Sequence, residues 1–357
     1  MQPFAGRAAV AGIGMTALTR RSGRTEEELA AEACRAACAD AGIGPREVDA
    51  VLSYHMNDSA PVVRVARALG IERLGWHNDI AGGGTQAASI LGDAAMLIQA
   101  GLARNILIYR ALNGRSGTRM NTASTGPSTG TPTYGLAGPI PLFALAATRY
   151  LHDTGLTAEH LHAVVAQSRR NAAANPRALR RDPLPLDAYL ARPYVCTPLR
   201  TVDCCQETDG ACALLVSAVL DGPRVHAVVR GGGPGCSSMD RAPDVSTIFS
   251  AYVAPMLWEA SGMRPADVDV ALPYDAYSWL VPRQLEDLGF VAREELGAYL
   301  LEGRHAWVNP HGGLLSEGYV HGLNNVAEAV RELRSGRSVA LVTGFGGSYG
   351  SAALLVR

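Results

Sequence analysis

Apolar residues in this chain fall into short continuous runs separated by stretches with helical period. Ala8–Gly14, Ile106–Tyr109, Val225–Gly231 and Val339–Val342 are such runs. Ala94–Gly101 and Val326–Leu333 place their apolar positions on one helical stripe, and each leads directly into one of those runs. Continuous apolar strands suit a sheet covered on both faces. Strands alternating with helices predict an α/β fold with a mostly parallel sheet. His152–Ala174 is also predicted helical, with Thr157-Ala158-Glu159 near its start and Leu161, Val164, Val165 and Ser168 on one stripe.

The pattern occurs twice. Pro45-Arg46-Glu47-Val48-Asp49-Ala50-Val51-Leu52-Ser53-Tyr54 returns as Pro265-Ala266-Asp267-Val268-Asp269-Val270-Ala271-Leu272-Pro273-Tyr274, an offset of 220 residues. Both copies read Pro-x-x-Val-Asp-apolar-apolar-Leu-x-Tyr. An opening apolar run, a helix, a Gly-rich turn and a closing helix–strand pair flank each copy in the same order. The repeat predicts two related halves packed face to face, residues 1–220 and 221–357, each of order βαβαβαββ. The N-terminal half carries loop insertions at about 113–141 and 171–200, both expected to lack regular structure; the first is long enough for a lid, a binding loop or an oligomer contact. The Arg cluster of the second reads as solvated surface before it reads as a phosphate site.

Composition narrows the chemistry. The net charge of −1 carries no basic stripe, which argues against a nucleic-acid partner. No apolar run approaches a membrane span, and no signal-peptide h-region is visible, so a cytoplasmic protein is expected. The 7 cysteines are odd in number and lack metal spacing, which predicts reduced thiols. Adjacent Cys204 and Cys205 read first as small hydrophobes. All 32 residues of the Lys+Arg count are arginine. Without lysine, Schiff-base catalysis, a lysine-anchored pyridoxal phosphate and a P-loop are all excluded.

The ordered motifs resemble the thiolase superfamily along essentially the whole chain. Asn309-Pro310-His311-Gly312-Gly313-Leu314-Leu315-Ser316-Glu317-Gly318-Tyr319 resembles the Asn-Pro-x-Gly-Gly-x-x-x-x-Gly-His loop of thiolases. Gly344-Phe345-Gly346-Gly347-Ser348-Tyr349-Gly350 resembles their Cys-x-Gly-Gly-x-x-Gly loop, and Tyr274-Asp275-Ala276-Tyr277 stands where they carry Asn-Glu-Ala-Phe. The departures carry the functional information. The nucleophilic cysteine maps to Gly84, the loop histidine to Tyr319 and the second cysteine to Gly344, so acyl-cysteine chemistry is not expected. The pattern is similar to the thiolase-like aldolases of bacterial steroid side-chain degradation. That resemblance implies cleavage of a β-hydroxyacyl-CoA to a ketone and a shorter acyl-CoA. It also implies a homodimer joined near residues 76–90 and a small partner protein with an OB-fold and a zinc ribbon.

The residues suit that chemistry. Retro-aldol cleavage needs a base for the hydroxyl proton and donors for the enolate, and no nucleophile. Tyr274 and Tyr319 are the candidates for proton transfer, a base role requiring a phenol pKa lowered from about 10. Backbone N–H groups at Gly84 and Gly344 are candidates for the thioester oxygen, because glycine allows close approach. Tyr277 is an alternative to Tyr274, Asp275 is expected to orient a neighbour, and His311 either touches substrate or caps a turn. No metal or cofactor is expected in the chain, CoA being part of the substrate. Two other functions stay open on sequence: a cysteine-independent acyltransferase or C–C bond-forming subunit, and a non-catalytic scaffold.

Overall fold

A computed structural model describes residues 6–117, 136, 138–234, 239 and 242–357. The N-terminal part runs β1 (Ala9–Met15), α1 (Glu26–Asp40), β2 (Ala50–His55), α2 (Val62–Ala68), β3 (Trp76–Ala81), α3 (Gln86–Gln99) and β4 (Asn105–Asn113). It continues through α4 (Ile140–Thr154), α5 (Ala158–Ala172), α6 (Leu186–Leu190), β5 (Tyr194–Cys196) and β6 (Leu199–Arg200) to β7 (Asp209–Ser217). The C-terminal part comprises β8 (Arg224–Gly232), α7 (Ser250–Ser261), β9 (Val270–Leu272), α8 (Leu280–Asp287), α9 (Leu296–Leu301), α10 (Gly313–Ser316), α11 (Leu323–Arg334), β10 (Val339–Phe345) and β11 (Tyr349–Val356).

Strands follow the order β3-β2-β4-β7-β1-β8-β11-β10-β9, with β1 and β8 joined by the single pair Ala9–Arg224. In each half the outer strands are parallel (β3, β2 and β4; β9 and β10) and the inner ones antiparallel. Helix α1 covers one side of β1, β7 and β4, and α7 covers β8 and β11. Helices α3 and α11 lie between the halves: α3 packs mainly on β8, β11 and β10, and α11 on strands from both halves. Their apolar faces share one core with the strands, including Leu52, Ile90, Leu91, Val326, Val330 and Val342. The two halves therefore meet face to face across a shared helical layer. The third strand of the C-terminal half shrinks to one bridge, Ala271 to Val308.

The repeated motif builds the same object twice. Pro45–Glu47 and Pro265–Asp267 each form one 3-10 turn, proline occupying the first helical position where its missing N–H costs nothing. The Asp49 carboxylate then accepts from the amides of Arg104 and Asn105, and that of Asp269 from Ser338 and Val339. Each aspartate thus ties the start of its strand to the start of the parallel neighbour.

Elsewhere the expected elements shift. The single helix expected over 152–174 is broken: α4 ends at Gly155 with φ +69°, and α5 restarts behind the capping residue Thr157. The 171–200 insertion contains α6, β5 and β6 rather than an unstructured loop. Most of the 113–141 insertion, residues 118–135 and 137, lies outside the described residues. No helix among the described residues is long and apolar enough to cross a membrane.

Candidate active site

The segment after β9 is fixed before its side chains act. The Tyr274 amide donates to Thr343 Oγ1 (2.8 Å), and Gln284 Nε2 donates to the Tyr274 carbonyl (3.0 Å). Tyr319 is held by the 203–208 segment: Thr208 Oγ1 donates to the Tyr319 carbonyl (2.8 Å) and accepts from its amide (3.1 Å). The same segment clamps the Tyr277 turn, because the Cys205 amide donates to the Ala276 carbonyl (2.7 Å). Two chain regions 45 residues apart are thereby brought together, and the hydroxyls of Tyr274 and Tyr319 lie 2.7 Å from each other. Their rings meet edge to face at 6.3 Å.

Gly84 lies directly against this pair. A Cβ built on it would fall 2.3 Å from the Tyr274 hydroxyl oxygen and 2.4 Å from Cζ. The phenol therefore occupies the volume that a side chain at position 84 would need, and a cysteine there would require Tyr274 to move.

Both phenols open on a cavity of about 360 Å³. Gly82–Thr85, Asp58, His321, Tyr274 and Tyr319 line its polar part, whereas Met56, Leu112, Pro139, Phe143, Tyr277 and Phe345 supply apolar surface. Phe143 stacks obliquely on Tyr277 (5.1 Å) and Phe345 (5.0 Å). A few polar groups converging at an apolar wall are the usual makeup of a small-molecule site.

Charge in the site runs against ionised phenols. Burial, reinforced by the neighbouring Tyr319, pushes the Tyr274 pKa well above 10. Burial and then Cys205 push Tyr319 the same way. The lowering that a resting phenolate base requires is thus missing, and both hydroxyls are neutral at physiological pH. Cys204, which also lines the cavity, is pushed up to about 12 by burial and then by Asp203, so its thiol is no ready nucleophile.

The other expected residues separate. Tyr277 lines the cavity beside Tyr274. Asp275 faces away from it, accepting from the amides of Leu314 (2.9 Å) and Leu315 (3.3 Å); burial raises its pKa to about 6. It holds the 313–315 turn, an orienting position. His311 is buried beside Asn325 (3.2 Å) and Glu317 (3.7 Å), outside the cavity lining. Gly344 is also absent from the lining: a Cβ there would fall 2.6 Å from the Gly84 carbonyl oxygen, so its lack of a side chain lets β10 support the Gly84 turn. Gly346, two residues on, does reach the cavity.

Sequence reasoning missed a triad at the cavity wall, two members buried and the third, Asp58, half-buried. Arg110, fully buried on β4, donates to His321 Nδ1 through Nη2 (2.7 Å) and Nε (3.0 Å), and to Asp58 Oδ1 (2.6 Å). Burial, then Arg110, push the His321 pKa down to about 3, against the pull of Asp58. An arginine inside an otherwise apolar run, Ile106–Leu112, was the signal available in the sequence.

Residues 235–356 match the family model described as thiolase C-terminal domain-like. The chain is 37% identical to the 17-hydroxy-3-oxo-4-pregnene-20-carboxyl-CoA lyase of Mycobacterium tuberculosis, covering 96% of this chain and 95% of that protein. It is 35% identical to the steroid side-chain-cleaving aldolase of Thermomonospora curvata, over 94% and 92% of the two chains. Among solved structures it is similar to the Ltp2-ChsH2(DUF35) aldolase, with TM-score 0.90, 34% identity and 98% of each chain covered.

Proposed function

The chain belongs to the thiolase superfamily, among its steroid side-chain-cleaving aldolases, and on that premise we propose that it is a carbon–carbon lyase that cleaves a β-hydroxyacyl-CoA with a steroid-like side chain. A thioester on the C20 carboxyl group and a hydroxyl on C17, as in the Mycobacterium tuberculosis relative's name, make such a β-hydroxyacyl group. Breaking the C17–C20 bond leaves a ring ketone and propionyl-CoA.

The hydroxyl–hydroxyl contact of Tyr274 and Tyr319 at 2.7 Å carries this reading. One phenol accepts the proton of the substrate's tertiary alcohol as the C–C bond breaks and the bonding electrons move into a thioester enolate. The accepting phenol passes its own proton across the contact, and the second phenol delivers one to the α-carbon. The proton count balances and neither tyrosine ends as a phenolate, which suits two phenols that burial keeps neutral. No covalent intermediate is needed, consistent with the filled space at Gly84. The neighbouring amides at the start of α3, where the helix dipole is positive, are suited to the thioester oxygen.

A homodimer is part of the proposal. β3 is an edge strand paired only with β2, and its Trp76, His77 and Asn78 are exposed, leaving one backbone edge for a second copy. The solved Ltp2-ChsH2(DUF35) aldolase supports an additional subunit, read here as a small OB-fold and zinc-ribbon protein. A cytoplasmic location completes the reading.

The test is incubation of the purified chain, with and without such a partner, with a β-hydroxyacyl-CoA bearing a tertiary alcohol. Ketone and short acyl-CoA are the expected products. A covalent acyl-enzyme by mass spectrometry would instead mark an acyltransferase, and no turnover with any partner would mark a scaffold.

A further inference from the structure

Cleavage places negative charge on the thioester oxygen, and the two tyrosines are already engaged with protons. Among the other side-chain donors that line the cavity, His321 is the one next to the tyrosine pair and the Gly83–Gly84 turn. His321 sits two residues beyond Tyr319, its ring edge-on to the Tyr319 ring at 5.0 Å. Its Nδ1 receives hydrogen bonds from Arg110 at 2.7 and 3.0 Å. A guanidinium has donors only, so Nδ1 must be the acceptor and Nε2 must carry the hydrogen. Asp58, 2.6 Å from Arg110 Nη2, holds the guanidinium in turn.

Nε2 lies beside the Gly83 turn on the cavity wall, 3.5 Å from where a Cβ on that glycine would lie. Among the described residues no protein acceptor meets it. The backbone is held for this purpose: His321 has φ +47°, a left-handed conformation uncommon for a residue with a side chain, and Tyr54 Oη donates to its carbonyl at 3.0 Å. An unusual backbone, a fully buried arginine and an enforced tautomer all converge on one N–H at the cavity wall.

Resting on the lyase reading above, we propose that His321 Nε2–H donates a hydrogen bond to the substrate's thioester oxygen as it gains enolate charge, with Arg110 as the positioning residue that fixes the tautomer. His321 itself transfers no proton: the C–C electron pair moves into the enolate, the tyrosines carry the protons, and the imidazole stays neutral throughout. Its depressed basicity keeps it so. A neutral imidazole acts as an electrophile toward a developing enolate without exchanging protons with the tyrosines.

The test uses the full chain, with its partner protein where turnover requires one, and propionyl-CoA labelled with 13C at the carbonyl as probe. His321→Asn tolerates the left-handed backbone and removes the donor from the Nε2 position; His321→Gln retains an amide N–H near it. In the wild type, the infrared carbonyl band of bound propionyl-CoA should lie below its position in buffer, and His321→Asn should return it toward that position. The same variant should lose roughly 100- to 1,000-fold in kcat, with KM little changed and His321→Gln intermediate. Unaltered melting curves separate this from misfolding. If the wild type cleaves substrate and His321→Asn leaves both the band and kcat in place, the donor role is overturned and the lyase reading stands. If the band shifts with His321 but no substrate is cleaved, the donor role stands and the lyase reading falls. A wild type that binds no propionyl-CoA overturns both.

Discussion

Tyr54 and Tyr274 occupy the same position in two copies of one motif, each the fifth residue from the first strand residue of β2 or β9, behind the same 3-10 turn and aspartate tie. Both are buried and burial raises both phenols. They differ in what the hydroxyl meets. Tyr54 donates to a backbone carbonyl, that of His321, whereas Tyr274 meets another hydroxyl, that of Tyr319, at a cavity wall. A carbonyl only accepts, so the first bond is a tether with a fixed proton. Two hydroxyls can each donate or accept, so the second can hand a proton along. The scaffold is shared; the partner decides whether the phenol is structural or chemical.

The sharpest way to break this comparison is to remove the oxygens. Tyr319→Phe and Tyr274→Phe keep the rings and should each lower turnover by about 100- to 10,000-fold, the range for loss of a general acid or base. Their melting temperatures should change little. Either variant retaining more than about a third of wild-type turnover, far short of that loss, would return the residue to a packing role; Tyr277 is then the hydroxyl to test.

Filling Gly84 should have the next largest effect. In Gly84→Cys the new Cβ and the Tyr274 hydroxyl claim the same space. Overpacking of this kind costs about 1–3 kcal/mol, and the displaced phenol should lose its contact with Tyr319 and most of the turnover with it. Acyl-enzyme formation should not appear. A Gly84→Cys protein that becomes acylated by an acyl-CoA would show that Tyr274 yields easily, contradicting the fixed position argued for it.

Tyr54→Phe is the matched control. It strands the buried His321 carbonyl without an acceptable substitute donor, at a cost of about 1–3 kcal/mol measured by urea unfolding. Turnover should fall far less than in Tyr274→Phe, because only the support of His321 is weakened. Comparable losses in both variants would erase the distinction between tether and relay.

How much of this was readable beforehand follows the same division. The apolar runs and the repeated Pro-x-x-Val-Asp motif carry local information, so β2, β9 and the helix–strand pairs into β4 and β10 were legible. So were Tyr274 and Tyr319 as a pair, through motif position. What was not legible is tertiary. Gly344 and His311 belong to motifs that line the site in thiolases, yet here a backbone approach to Gly84 and a Glu317–Asn325 pocket hold them outside the cavity lining. His321 needed Arg110 and Asp58, which stand 211 and 263 positions away in the chain, and no local pattern links them. The helix break at Gly155 was hidden because apolar spacing continues through it into α5.

The smallest expected effect tests the shared scaffold itself. Asp49 and Asp269 each accept two backbone amides at the start of a neighbouring strand, in partly solvated surroundings. If the motif does the same work in both halves, Asp49→Ala and Asp269→Ala should each lower unfolding stability by about 1 kcal/mol, the usual net value of such hydrogen bonds. Turnover should be untouched, since neither carboxylate is near the tyrosine pair. The two sites share no partner residue, so the double variant should lose the sum of the single losses to within about 0.5 kcal/mol. A large loss at one position and none at the other would mean that only one half depends on its aspartate tie. The equivalence of Tyr54 and Tyr274 would then be one of sequence and shape but not of energetics, and the contrast between their hydroxyls could no longer be assigned to their partners alone.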